Sequence, residues 1–372
     1  MKIPLARPDI TQHEIDAVVA VLKTPDLALG PLLPEFERRF AERCQTRWAV
    51  AVSSGTAALH LLVRSLAWGE GDEVITTPFS FVASTNCLLY ERARPVFVDV
   101  DRRTWNMDPS GMAAAVTGRT RGIIVVDVFG QIADYEPIQK VADRHGLRVI
   151  EDSCEALGSR HRGRPAGALA DAGAFGFYPN KQITTGEGGM IVTDDEEIAV
   201  LCRSLRNQGR DADGAWLSHQ RLGYNYRISD IACALGIAQL ERLDDIMATR
   251  SRVARWYLEQ LENELASGAL SLQRALPDTE TSWFVFVIRL SDDHSANDRD
   301  AILGELRRQG IGCGNYFAPI HLQEYMVEAF GYKRGDFPVC EALADRTLAL
   351  PFHKLLTEAD VAAVCDCLRR GL

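Results

Sequence analysis

In GAFGFYPNKQITTGEGGMIVTDD (173–195), Lys181 follows an aromatic, proline-constrained turn and precedes a glycine-rich one. Most lysines are solvated surface groups. One held between Phe175, Phe177 and Tyr178 on one side and TTGEGG on the other is partly desolvated, and such an amine can act as nucleophile or base. In RVIEDSCEALGS (148–159) an apolar run ends on Glu151 and Asp152, at the strand end where open α/β sheets bind ligands. A carboxylate is costly to bury there unless a cation or donor meets it. Asp152 reads either as a helix N-cap or as an acid that keeps a heterocyclic nitrogen protonated. In SSGTAALHLL (53–62) a strand ends, Gly55 turns the chain, and a helix starts at Thr56 or Ala57. Free N–H groups and the positive end of the helix dipole then converge on one spot, which suits a phosphate. The Thr56 hydroxyl adds a donor, although an ordinary capped turn has the same sequence. In TTPFSFVASTN (76–86), Phe81 lies just past a strand end, either in the core or with a face free to stack on a planar ring.

Each segment alone has an ordinary structural reading; the combination is more telling. A phosphate cradle, an aromatic plate, an acid at a strand end and a lysine after a turn are the four supports that pyridoxal phosphate requires. The lysine forms the Schiff base and the acid holds the pyridine nitrogen protonated, so that the ring is an electron sink.

The elements that must carry these groups are visible as periodicity. Apolar runs at 48–54, 73–78, 95–101, 122–130, 147–153, 172–177 and 189–195 alternate with helical segments, among them 80–91 and 134–145. That alternation predicts βαβ units and a mostly parallel sheet, and several runs are apolar on both faces, as buried parallel strands require. Helices are expected at 12–23 and 34–44. Beyond residue 230 the texture changes: helical periodicity over 228–265, a strand at 281–290, a helix around 299–309, a glycine-rich return at 310–317 and a capped C-terminal helix. We therefore expect a large α/β domain over 1–245 and a smaller α+β domain over 246–372.

Composition bounds the alternatives. The chain has 372 residues, 41 Lys+Arg against 51 Asp+Glu, 47% hydrophobic and 25% charged residues, ordinary values for a globular protein. The net charge of −10 argues against nucleic acid as a partner. Disorder, collagen and coiled coil are excluded. No run of about 18 uncharged apolar residues exists to span a bilayer, and the N-terminus lacks the form of a secretory signal. The nine cysteines are scattered, with no CxxC pair, and the eight histidines show no HxxxH spacing. Reduced thiols in a cytoplasm and no metal site are the expectation.

SSGTAAL, TPFSFVAST, IEDSCEALG, FGFYPNKQITTGEGG and RLGYNYRISDIACALGIAQL occur in the order seen in the DegT/DnrJ/EryC1/StrS group, which the chain resembles from 27–41 through the C-terminal part. The resemblance implies a fold-type I pyridoxal-phosphate enzyme with a mostly parallel seven-stranded sheet between helices. It implies amino transfer from glutamate to the C4 or C3 keto group of a nucleotide-linked deoxysugar. By position, Lys181 is the Schiff-base lysine and proton shuttle, Asp152 pairs with the pyridine nitrogen, Phe81 stacks on the ring, and Gly55, Thr56 and Ala57 hold the phosphate. Asn225 would reach the phosphate from the partner subunit, making a homodimer with shared sites. Arg227 supports it, and Tyr316 and His321 resemble residues lining the sugar pocket. Three positions depart from the group: Glu155, near the cofactor's O3′, stands for Gln or His; Gly176 for a phosphate-binding Ser; Asn315 for His. A dehydratase branch carries His in place of the lysine, so Lys181 favours amino transfer. A cyclitol ketone as acceptor, or a catalytically silent regulatory protein on the same fold, stay open as alternatives. A nucleotide-binding Rossmann enzyme is disfavoured, since no GxGxxG follows the first strand.

Overall fold

The computed structural model describes residues 2–211 and 217–372. Seven strands form the central sheet, in the spatial order Trp48–Val52, Gly189–Thr193, Ala172–Gly176, Arg148–Asp152, Thr120–Val126, Glu73–Thr76, Arg94–Phe97. Gly189–Thr193 is antiparallel to both neighbours, and the other adjacent pairs are parallel. The strands are buried nearly throughout because helices cover both faces, which is why they read as apolar runs without alternation. The six strands other than Gly189–Thr193 run the same way, and their ends, including Val52, Asp152 and Gly176, point to one rim of the sheet. The chemistry-bearing residues gather at that rim.

The helix Gly55–Ser65 begins one residue earlier than the sequence suggested, with Ser54 as N-cap accepting from the Ala57 N–H at 3.0 Å. The helix expected at 80–91 forms as Ala83–Tyr90, so Phe81 sits just ahead of it. The run at 122–130 splits: the strand ends at Val126, and Val128–Gly130 makes a 3₁₀ turn. Two helices without a clear sequence signal, Glu196–Arg206 and Pro338–Arg346, complete the layers.

The stretch 228–265 resolves into the helices Asp230–Glu241, Leu243–Gln260 and Glu262–Ser267. The middle helix joins two cores. Leu243 and Ile246 pack with Phe36, Phe40 and Phe177 of the large unit, whereas Val253, Ala254 and Tyr257 pack with Phe286, Leu348 and Val364 of the small one. The division drawn at 245/246 thus falls inside a helix. The small unit is built on the antiparallel sheet Leu270–Leu272, Phe286–Leu290, Thr347–Leu350 and is reached by the N-terminus, where Ile3 bridges Ile311. The strand there is shorter than the expected 281–290, because Ser282–Phe284 leaves the sheet toward the rim. Among the described residues no helix is long and apolar enough to cross a membrane.

Candidate active site

Lys181 lies in the turn after Ala172–Gly176, its N–H donating to the Tyr178 carbonyl at 2.9 Å. Its side chain is only 15% exposed. The Nζ donates to Glu155 Oε1 at 3.3 Å and lies 4.1 Å from the centroid of Phe284, a cation–π contact. Glu155 is held from its other side: Oε2 accepts the Phe129 N–H at 3.0 Å, presented by a left-handed residue (φ 60°) in the 3₁₀ turn. Burial pushes the Glu155 carboxyl up, against the opposing pull of Lys181. Gln182, also buried, donates to the Glu155 carbonyl and, at 2.8 Å, to the Ser282 hydroxyl. The small unit is thereby tied to the lysine turn.

Asp152, 4% exposed, ends the strand Arg148–Asp152. Its Oδ2 accepts from the Ser84 hydroxyl at 2.7 Å and its Oδ1 from the Cys154 N–H at 3.2 Å. Strand alternation sends Glu151 to the opposite face, where Ser153 donates to it at 2.7 Å and the Leu169 N–H at 2.9 Å. Ser84 Oγ also lies 3.2 Å from the carbonyl oxygen of Phe81, so one hydroxyl stands between acid and aromatic plate. Phe81 is 60% exposed despite the surrounding core. A ring left bare at a sheet rim is a stacking surface.

The turn Ser54–Ala57 packs against Cys154 and Gly176. A Cβ on Gly55 would meet Cys154 Sγ at 2.9 Å and Gly176 Cα at 3.1 Å, so glycine at 55 is a steric requirement. The residue before this turn is tied to a strap: Ser53 N–H donates to the Tyr226 carbonyl at 2.9 Å. Along that strap Tyr224 and Tyr226 stack on each other and pack, tilted, against the buried His60 ring, and Asn225 between them is exposed. Asn225 is thus left open to solvent, its backbone bridged to Asn207. Arg227 donates to the Asn207 side chain at 3.1 Å.

Tyr316 is brought close to Glu155, the partner of the lysine. Its ring stacks on Phe317 and Phe129, with centroids 5.0 and 6.4 Å away; burial, then the nearby Glu155 charge, pushes its phenol up. His321 is placed differently from the pocket-lining expectation. It is fully buried, with Nε2 at 3.0 Å from Glu341 and its ring edge-on to Phe337. The 3₁₀ turn Ile320–Leu322 turns it into a separate cluster with Phe97, Met326, Tyr332 and Phe337, where Glu341 also accepts the Gly335 N–H. Asn315 lies beside the Thr347 hydroxyl. Sequence reasoning missed Ser84, Phe284 and Gln182; Ser84 had a signal in TPFSFVAST, but nothing local marks Phe284.

These residues fit pyridoxal phosphate: a cradle that a Cβ would fill, an exposed ring, a buried carboxylate with hydrogen-bond support, and an amine held between a carboxylate and an aromatic face. When bound, that cofactor supplies an aldehyde for imine chemistry and a protonated ring that accepts electrons.

The family model for the DegT/DnrJ/EryC1/StrS aminotransferase family matches residues 8–369. A GDP-perosamine synthase of Caulobacter vibrioides is 39% identical over 372 residues, covering 100% of this chain and 98% of that protein. The spore coat polysaccharide biosynthesis protein SpsC of Bacillus subtilis is 36% identical, with 99% and 96% covered. Among solved structures, a putative sugar aminotransferase Spr1654 from Streptococcus pneumoniae in its PMP form superposes with a TM-score of 0.94 at 29% identity, covering 100% and 99% of the two chains. DesV of S. venezuelae, in complex with a ketimine intermediate, gives 0.89 at 34% identity, with 96% and 94% covered. With the family matched over nearly the whole chain and the cofactor's supports assembled at one rim, the protein belongs to the DegT/DnrJ/EryC1/StrS aminotransferases, pyridoxal-phosphate-dependent transaminases acting on sugars.

Proposed function

We propose that the chain moves an amino group from L-glutamate to the C4 or C3 keto group of a nucleotide-linked deoxysugar, as a homodimer with shared sites. The observation that carries this reading is the surroundings of Lys181. A largely buried amine faces a carboxylate at 3.3 Å and an aromatic ring at 4.1 Å, with Asp152 and the Ser54–Ala57 turn adjacent. The GDP-perosamine synthase relatives support a nucleotide sugar as acceptor.

The roles follow from chemistry. Nζ of Lys181 takes the proton from Cα of the amino donor. Asp152, supported by Ser84, holds a proton on the ring nitrogen opposite it. The free N–H groups of Gly55 and Thr56 bind phosphate, Ala57 shapes the cradle with its own N–H given to the Ser54 cap, and Phe81 covers one ring face. Asn225 completes the phosphate site of the second copy; its exposure, and that of Leu217 (79%) and Leu222 (77%) on the same loop, support a partner surface. Arg227 and Tyr316 serve the acceptor sugar.

Lys181→Ala tests the assignment. Turnover with glutamate and a panel of nucleotide-linked keto sugars should vanish, along with the borohydride-trappable adduct on the peptide containing residue 181. Turnover at the parent's rate in this variant would sink the assignment. Amination of cyclitol ketones alone would replace the acceptor, and no transamination of any ketone by parent protein with bound cofactor would favour a silent regulatory role.

A further inference from the structure

The Lys181 nitrogen and the Glu155 carboxylate meet where water screens poorly: their side chains are 15% and 9% exposed. Glu155 does not depend on the lysine for its position. The Phe129 N–H fixes Oε2 and the Gln182 amide holds the backbone carbonyl. The ionisable groups acting on Glu155 and its neighbours from the packed elements are Lys181, Asp152, Cys154 and Tyr316. Burial pushes the Cys154 thiol and the Tyr316 phenol up, so both are neutral at pH 7. Asp152 adds a second negative charge. Within this group the field of Glu155 has a single cation to act on, the nitrogen at position 181.

Resting on the cofactor reading above, we propose that Glu155 is the counter-ion that keeps the Lys181 nitrogen positively charged while that nitrogen is bonded to an aldehyde carbon. As the ammonium joins the aldehyde, the carbonyl oxygen leaves as water with two of the nitrogen's hydrogens. The third hydrogen stays on nitrogen, opposite Glu155 Oε1, and the positive charge is conserved. The carbon of a charged C=N bond is the better electrophile for the incoming amino donor, whereas a neutral one must first be protonated. An amide at 155 would keep the shape and the acceptor oxygen but lose the charge.

The test is an absorbance titration of the holoenzyme, since protonated and neutral C=N forms absorb at different wavelengths. Glu155→Gln should lower the midpoint by about 1–3 pH units, the size expected when an opposite charge within 4–6 Å is removed. Glu155→Asp, which withdraws the charge without abolishing it, should lower it less. In cofactor-free protein, the pH at which acetaldehyde and borohydride modify half of Lys181, read by peptide mass, should also move down in Glu155→Gln. Midpoints that coincide with the parent's in both measurements overturn the proposal. Should the glutamine variant misfold, an unchanged midpoint in Glu155→Asp does the same. A parent chain that shows no visible band with excess pyridoxal phosphate overturns the cofactor reading instead.

Discussion

Ser84 shows how much a single hydroxyl can hold. It donates to Asp152 at 2.7 Å, and its oxygen sits 3.2 Å from the Phe81 carbonyl and 2.8 Å from the Ser80 hydroxyl. A hydrogen bond to a charged group contributes about 1.5–3 kcal/mol. Ser84→Ala leaves the acid with only the Cys154 N–H, so cofactor affinity should fall about tenfold or more while the chain stays folded, measured by titrating cofactor-free protein with pyridoxal phosphate. Two glycines make an opposed pair of tests. At Gly55 an added Cβ presses on Cys154 and on backbone, so Gly55→Ala should destabilise the protein by about 1–3 kcal/mol and weaken phosphate binding. At Gly176 the nearest atoms to a Cβ are 3.6 and 3.7 Å away, ordinary contact distances. Gly176→Ser should fold normally and bind the cofactor more tightly, because its hydroxyl adds a donor at the cradle. Equal effects of the two substitutions in calorimetry and titration would contradict the packing described. Lys181, Asp152 and Gly55 were legible in the sequence because local pattern marks them: a strand end, a turn, a glycine before a helix. His321, expected to line the sugar pocket, is buried against Glu341 and Phe337, because a 3₁₀ turn, invisible to periodicity, decides which way its ring points.

Elements position these residues through a latch that uses His60. Its Nδ1 lies 3.0 Å from the Tyr226 hydroxyl and its Nε2 2.8 Å from Glu91, which also accepts from Tyr224 at 2.8 Å and pairs with Arg64 at 2.9 Å. The cradle helix Gly55–Ser65, the helix Ala83–Tyr90 that follows the aromatic plate, and the strap 224–227 are thus joined at one buried imidazole. With Tyr224 and Tyr226 held against His60, Asn225 is left exposed, and the Tyr226 carbonyl stays on Ser53. His60→Leu fills the volume but leaves the Tyr226 hydroxyl without its partner and Glu91 with only Tyr224 and Arg64, and should cost about 2 kcal/mol, read as a lower urea midpoint together with faster loss of cofactor on dialysis. His60→Gln, able to reach one partner, should fall between. A variant with parent-like cofactor retention would show that the strap holds without the latch. Apolar runs announced the strands, and alternation with helices announced the parallel sheet. The strap did not announce itself, because its hold on Glu91 depends on a residue 133 positions away.

At the scale of the whole molecule, the small unit is part of the site. Phe284 reaches Lys181, and Ser282 reaches Gln182 across 100 positions of sequence; pairings of that span leave no local pattern, so the sequence reading kept all four cofactor supports in the large unit. What sets Phe284 is Arg250, whose guanidinium donates to the Trp283 carbonyl at 2.8 Å and the Phe284 carbonyl at 2.6 Å and lies over Phe352. Burial lowers that arginine to about 10, still charged at neutral pH. His353, beside Phe352 and 5% exposed, is lowered to about 4, first by burial and then by the charges of Arg250 and Arg7. In the unfolded chain it titrates at its ordinary value of 6.5. Between those values the unfolded state binds a proton that the folded state refuses, so stability is full above about pH 6.5 and declines as pH falls toward 4. The loss from this group is up to about 3 kcal/mol. Carboxylates also titrate below pH 5, which makes the difference between parent and variant the diagnostic quantity. His353→Leu should lose less of its urea midpoint between pH 7 and 4.5 than the parent does, and should retain more bound cofactor at pH 4.5, because the carbonyl clamp that aims Phe284 at Lys181 then has no second cation forced beside it. Parallel declines in the two proteins would place the acid sensitivity elsewhere and uncouple the small core from the lysine.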